Sequence, residues 1–171
     1  MKNTKKLALL ALMVSQALIL SIVESWIPVP VAIPGVKLGL ANIVTLLAII
    51  FFGTRDALIV VCIRVALSSL FGGGLLIFTF SIAGGILSTI TMAFLYKKMY
   101  NFFSILGISI VGAIMHNIGQ LSMASVVMKD FSVLSYLPVL FISGIIMGCI
   151  VGICTKMLVP ALEKTGIFSQ R

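Results

Sequence analysis

The chain has 171 residues, of which 61% are hydrophobic and only 9% charged, and its formal net charge is +8. A soluble domain of this size needs a polar surface and typically carries roughly a quarter charged residues, so this composition excludes one. The basic residues are too dispersed to form a nucleic-acid face; in a lipid-embedded chain such an excess chiefly sets orientation.

In lipid, a chain satisfies its backbone polar groups as a helix bundle or as a closed barrel. Barrel strands alternate apolar and polar residues over segments of roughly ten. The apolar runs here are longer and unbroken, which predicts an all-α fold: one transmembrane domain, 1–171, of about six helices.

The chain opens with a basic head, Met1 to Lys6, and turns apolar from Leu7, a pattern that resembles a secretory signal. The apolar run continues to about Val23, beyond the signal core of roughly 7–15 residues, and no small-residue cleavage site follows. It reads as a retained first helix, about 7–23. Within it Ala11 and Ser15, and likewise Ala17 and Ser21, stand four apart, a spacing that lets another helix approach closely.

A connector, 24–37, contains Pro28, Pro30 and Pro34. Proline removes a backbone donor and biases its predecessor to extended backbone, so this stretch is not continuous helix. It is nevertheless apolar, which predicts that it dips into the membrane surface or folds over the bundle. The next spans are about 38–52, 57–71, 75–95, 104–127 and 134–158. The second and third are short against the roughly 20 residues that a crossing helix needs; either their flanks extend them or they do not fully cross. Six spans place both termini on one side, together with Arg55, Lys97, Lys98, Lys156 and Lys164, and leave Lys37 and Lys129 on the other. The positive-inside rule assigns the first side to the cytoplasm.

Arg64, inside the third span, is the sharpest chemical signal. An arginine at membrane depth costs several kcal/mol and faces a cavity or a partner. Its planar fork suits a carboxylate or a phosphate. Three readings remain open: a bound ligand, a structural pair with Glu24, or snorkelling to the surface. In the fifth span His116 and Gln120 lie one turn apart and share a face, with Asn117 beside them. They supply hydrogen bonds either to a ligand or across helices. Lys37 and Asn42, at the start of the second span, are placed to reach the same region, with Trp26 above it.

Other features point away from chemistry. Cys62, Cys149 and Cys154 lie in apolar runs with no metal-ligand spacing and read as buried structural thiols. A single histidine without acidic or thiol neighbours is a poor metal site. There is no phosphate-binding loop of the Walker type. The four acidic residues, Glu24, Asp56, Asp130 and Glu163, are scattered, whereas holding magnesium on a diphosphate takes clustered carboxylates. No cofactor is expected, and the chain is not expected to be an enzyme.

Ile27-Pro28-Val29-Pro30, then Pro34-Gly35-Val36-Lys37-Leu38-Gly39-Leu40-Ala41-Asn42, resemble a family of small bacterial membrane proteins. So do Arg64 with Ser68-Ser69-Leu70-Phe71-Gly72-Gly73, and Phe80 to Gly85. This is the Gx transporter family, also called heptaprenyl diphosphate synthase component I, itself similar to the substrate-binding S components of energy-coupling factor importers. The resemblance implies a six-helix bundle in a bacterial cytoplasmic membrane, with a small molecule bound toward the outer face beneath the first connector. Arg64, Lys37, Asn42, His116, Asn117 and Gln120 would line that site. Trp26, Pro28, Pro30, Pro34 and Gly35 would form a lid. A separate membrane scaffold subunit, docked near Ala11 and Ser15, and two ATPase subunits would drive uptake. A different class of function is an accessory component of isoprenoid or menaquinone synthesis, gathering lipid substrate or anchoring a soluble synthase. A structural or pore-forming oligomer is a third.

Overall fold

The computed structural model describes residues 3–26 and 37–168. Among these the chain is helical, with no strand. Six α-helices follow in order: α1 (Asn3–Ser25), α2 (Asn42–Phe51), α3 (Thr54–Ser68), α4 (Gly74–Lys98), α5 (Ile105–Met128) and α6 (Leu137–Lys164). A π-helical turn, Ser69–Gly73, joins α3 to α4, and a 3-10 turn, Phe131–Tyr136, leads into α6.

Local chemistry explains most boundaries. The Ser104 side chain accepts the Gly107 N–H at 3.2 Å and caps α5, satisfying one of the free amides of its first turn. At the far end Lys129 takes a left-handed conformation, φ 51°, and the Asp130 N–H returns to the Ser125 carbonyl at 3.1 Å, a helix-ending pattern. Asp130 then caps the 3-10 turn through the Ser132 N–H and hydroxyl, at 2.9 and 2.8 Å. These two bonds hold its carboxyl below the usual carboxylate range.

Four helical segments are long and apolar enough to cross a membrane: Thr4–Ser25, Gly74–Lys98, Ile105–Met128 and Phe131–Lys164. The predicted second span, 38–52, contracts to the ten residues of α2, about 15 Å of helix. Eight of them, Asn42 to Ile49, are buried. Central packing explains this: α2 touches each of the other five helices. Its Ile43, Leu46 and Leu47 join Met13 and Ala17 of α1, Val60 of α3, Met92 of α4, Ile108 of α5 and Val151 of α6 in one core.

Close approach of the later helices depends on glycine. Gly144, Gly148 and Gly152 recur every fourth residue on α6 and face α5. A Cβ at Gly148 would lie 2.5 Å from the Ile110 Cα, and one at Gly152 would lie 2.9 Å from the Leu106 Cα. Small residues at such seams let backbones touch where lipid offers no hydrophobic driving force.

The outer surface is apolar. Leu12 and Ile19 on α1, Ile90 and Phe94 on α4, and Ile142, Ile146 and Ile153 on α6 are all exposed. In water such a surface would be a large association-prone patch; in lipid it is in its proper solvent. The interior, conversely, collects Glu24, Asn42, Arg64, His116 and Gln120. The expectation of three buried thiols is corrected in part: Cys149 and Cys154 are half-buried, but Cys62 is exposed, and all three are free. At position 62 the α3 side chain points away from the core that its neighbours Val61 and Val65 enter.

Candidate functional site

The buried charged residues Glu24 and Arg64 gather with Asn42, His116 and Gln120 toward one end of the bundle. The opposite end carries the Lys6–Asp56 ion pair, 2.7 Å, which ties the start of α1 to the start of α3. Five pieces of chain meet at the polar end: the last turn of α1, the short stretch before α2, the second half of α3, the first half of α4 and the second half of α5.

Arg64 is 4% exposed, so it does not snorkel. Its Nη1 donates to Ser21 Oγ at 2.9 Å. Its Nε and Nη2 are buried and have no partner among the described residues. Glu24, 2% exposed, makes no direct ion pair with Arg64. Its Oε1 instead accepts the Gly39 N–H, and its Oε2 is unpartnered. A direct pair was one of the two structural accounts of Arg64; Glu24 acts here as a neighbouring charge and a backbone anchor.

Lys37 is tied down on three sides. Its backbone N–H donates to Gln120 Oε1 at 3.0 Å. Its ammonium reaches Ser68 Oγ at 3.2 Å and the Ser21 carbonyl at 3.4 Å. Because Oε1 of Gln120 is thus an acceptor, its Nε2 is the donor toward His116 Nε2, 3.1 Å away. That places a neutral His116's own proton on Nδ1. One residue, Lys37, therefore couples α1, α3 and α5.

Two adjacent glycines on α4 make this convergence possible. A Cβ at Gly84 would lie 2.6 Å from the His116 carbonyl oxygen, and one at Gly85 would lie 2.7 Å from Val61 Cγ1 and 3.5 Å from Arg64 Nη2. The pair lets α4 lie against the α5 backbone on one side and against the α3 side chains on the other. Gly39, at φ +97°, sits against Asn42; this backbone conformation disfavours any side chain. It aims its N–H at Glu24 just before α2 begins. Asn42 is 2% exposed and its Nδ2 has no partner.

The structure thus brings Arg64, Lys37, Asn42, His116 and Gln120 together. Asn117 lies elsewhere: its Nδ2 donates to the Leu140 carbonyl at 2.7 Å, in the seam with α6. Helical spacing alone leaves Asn117 within reach of Gln120's face, three residues on; it is the bond to Leu140 that turns it to α6. Trp26, within the connector, is exposed, 76%. Pro28, Pro30, Pro34 and Gly35 lie outside the described residues. Ala11 and Ser15 are exposed on α1, whereas the equivalent pair Ala17 and Ser21 is fully buried.

Sequence reasoning overlooked Ser21 and Ser68 as site residues. Ser21 had a signal: it lies three residues before Glu24, one helical face with it. Ser68 lies four residues after Arg64, a similar clue. Among the described residues no group of three His, Cys, Asp or Glu side chains is placed to hold a metal ion.

No curated protein and no solved structure matches the chain. A family model does match, over residues 13–158, a range that takes in the whole buried cluster. The chain belongs to the heptaprenyl diphosphate synthase component I family.

Proposed function

We propose that this chain is a membrane-embedded substrate-binding subunit, resembling the S components of energy-coupling factor importers. It captures a small anionic molecule of the vitamin-like or quinone-precursor kind. On this reading it is not an enzyme. A transmembrane scaffold subunit and two ATPase subunits supply the energy for uptake, and the exposed Ala11–Ser15 face of α1 receives the scaffold. Both termini and the Lys6–Asp56 end face the cytoplasm of a bacterial cell. The buried cluster faces outward, and the connector carrying Pro28, Pro30, Pro34 and Gly35 closes over it.

The observation that supports this reading is Arg64: a buried guanidinium with two nitrogens lacking partners among the described residues. An unsatisfied buried polar group costs about 1–3 kcal/mol, more when charged. A ligand that completes those bonds accounts for it. Asn42 Nδ2 and Glu24 Oε2 are likewise left open beside it.

The test uses chain purified in mild detergent, with mass spectrometry of the small molecule it carries. Arg64→Met should lose that molecule while still purifying as a folded chain in the same detergent, the loaded parent unfolding higher by the ligand's own stabilisation. A variant that keeps its ligand overturns the assignment. The family's own description favours a second reading, a non-catalytic membrane accessory of heptaprenyl diphosphate or menaquinone synthesis. Co-purification separates the two: scaffold and ATPase subunits support capture, and a soluble prenyl synthase supports the accessory role.

A further inference from the structure

The open part of Arg64 has a definite shape. Ser21 occupies Nη1, leaving Nε and Nη2 free. These two nitrogens lie on the same side of the planar guanidinium and present parallel N–H bonds. That edge matches the two oxygens of one carboxylate, a bidentate arrangement a lysine cannot reproduce. Gly85 lies beside Nη2, where a Cβ would stand at contact distance, 3.5 Å.

Charge limits what can sit on that edge. Lys37 and Arg64 set against Glu24 leave one formal positive charge in the cluster. A buried uncompensated charge is costly, and a single negative charge removes the imbalance. A diphosphate brings several negative charges and would reverse the imbalance rather than cancel it. It would also press its extra charge on Glu24, whose free Oε2 can only accept a hydrogen bond while ionised. Asn42 Nδ2 offers one further donor.

We propose that the Arg64 edge binds one carboxylate, so that the occupant is a singly charged carboxylic acid with a hydrogen-bond donor for Glu24, and not a diphosphate. This rests on the capture reading above and narrows its ligand class.

The experiment follows thermal unfolding of the full chain in detergent, with sodium acetate and sodium pyrophosphate compared against sodium chloride at equal ionic strength. Acetate should raise the midpoint by a few degrees over chloride, and pyrophosphate should not exceed chloride. The acetate effect should vanish in Arg64→Lys, which keeps the charge and loses the two-pronged edge. If Arg64→Lys does not fold, the ranking of the two anions on the parent chain decides the matter. Acetate protecting both chains equally overturns the proposal. Pyrophosphate outranking acetate overturns the carboxylate class while leaving capture standing. Neither anion exceeding chloride overturns both.

Discussion

Helix α5 packs against two contrasting surfaces. Toward α6 it meets the Gly144, Gly148 and Gly152 stripe, where backbones approach at glycine distance and Asn117 adds a bond to the Leu140 carbonyl. Toward α4 and the connector it presents His116 and Gln120 to a cluster containing Lys37, Glu24 and Arg64. The first surface is held by close packing. The second keeps charged nitrogens and a carboxylate oxygen without partners among the described residues. Close packing stabilises the bundle whether or not anything else is bound, whereas the cluster has chemistry left over, which a bound molecule is suited to complete.

This contrast separates stability from binding, and substitutions should divide the same way. Gly148→Leu should be the most damaging, because its Cβ would stand 2.5 Å from the Ile110 Cα and backbone cannot step aside as a side chain can. Overpacking of this kind costs about 1–3 kcal/mol or more, visible as a large fall in the unfolding temperature or loss of folded protein in detergent. An unaffected midpoint would show that the seam is looser than described. Gly39→Ala belongs to the other region. Its φ of +97° adds about 1–2 kcal/mol of backbone strain and turns the N–H away from Glu24, so ligand retention should fall with a smaller loss of stability. Equal retention would detach the connector from the site. Lys6→Ala removes the ion pair at the far end. Lys6 is 40% exposed, and partly exposed pairs contribute at most about 1 kcal/mol, so the midpoint should move least and ligand retention should be unchanged. A ligand effect there would reveal coupling across the bundle.

Much of the fold was legible from hydropathy. The predicted segments 7–23 and 75–95 sit inside α1 and α4, 104–127 matches α5 to within one residue at each end, and 134–158 overlaps the 3-10 turn and α6. Apolar runs bounded by basic pairs, glycines and Asp130 leave little choice of boundary. Arg64 was also legible, since a guanidinium in an apolar run is expensive and needs a reason. The trimmed α2 was not. Apolar residues on all its faces fit a lipid-crossing helix and a core helix equally, and only the surrounding five helices distinguish them.

Within the site, the residue types were visible and their pairings were not. That His116 and Gln120 share a face follows from helical spacing alone, whereas the turn of Asn117 toward α6 depends on the Leu140 carbonyl. Which neighbour each side chain meets depends on distant segments. Ser21 reaches Arg64 across 43 positions and Lys37 reaches Gln120 across 83, and no local pattern encodes such separations. Composition and periodicity decide that this chain is helical and belongs in lipid, because those are properties of each segment and its solvent. Whether a buried charge is matched or left wanting is a property of several segments meeting at once, so the open edge of Arg64 emerged only when α1, α3 and α4 were set side by side.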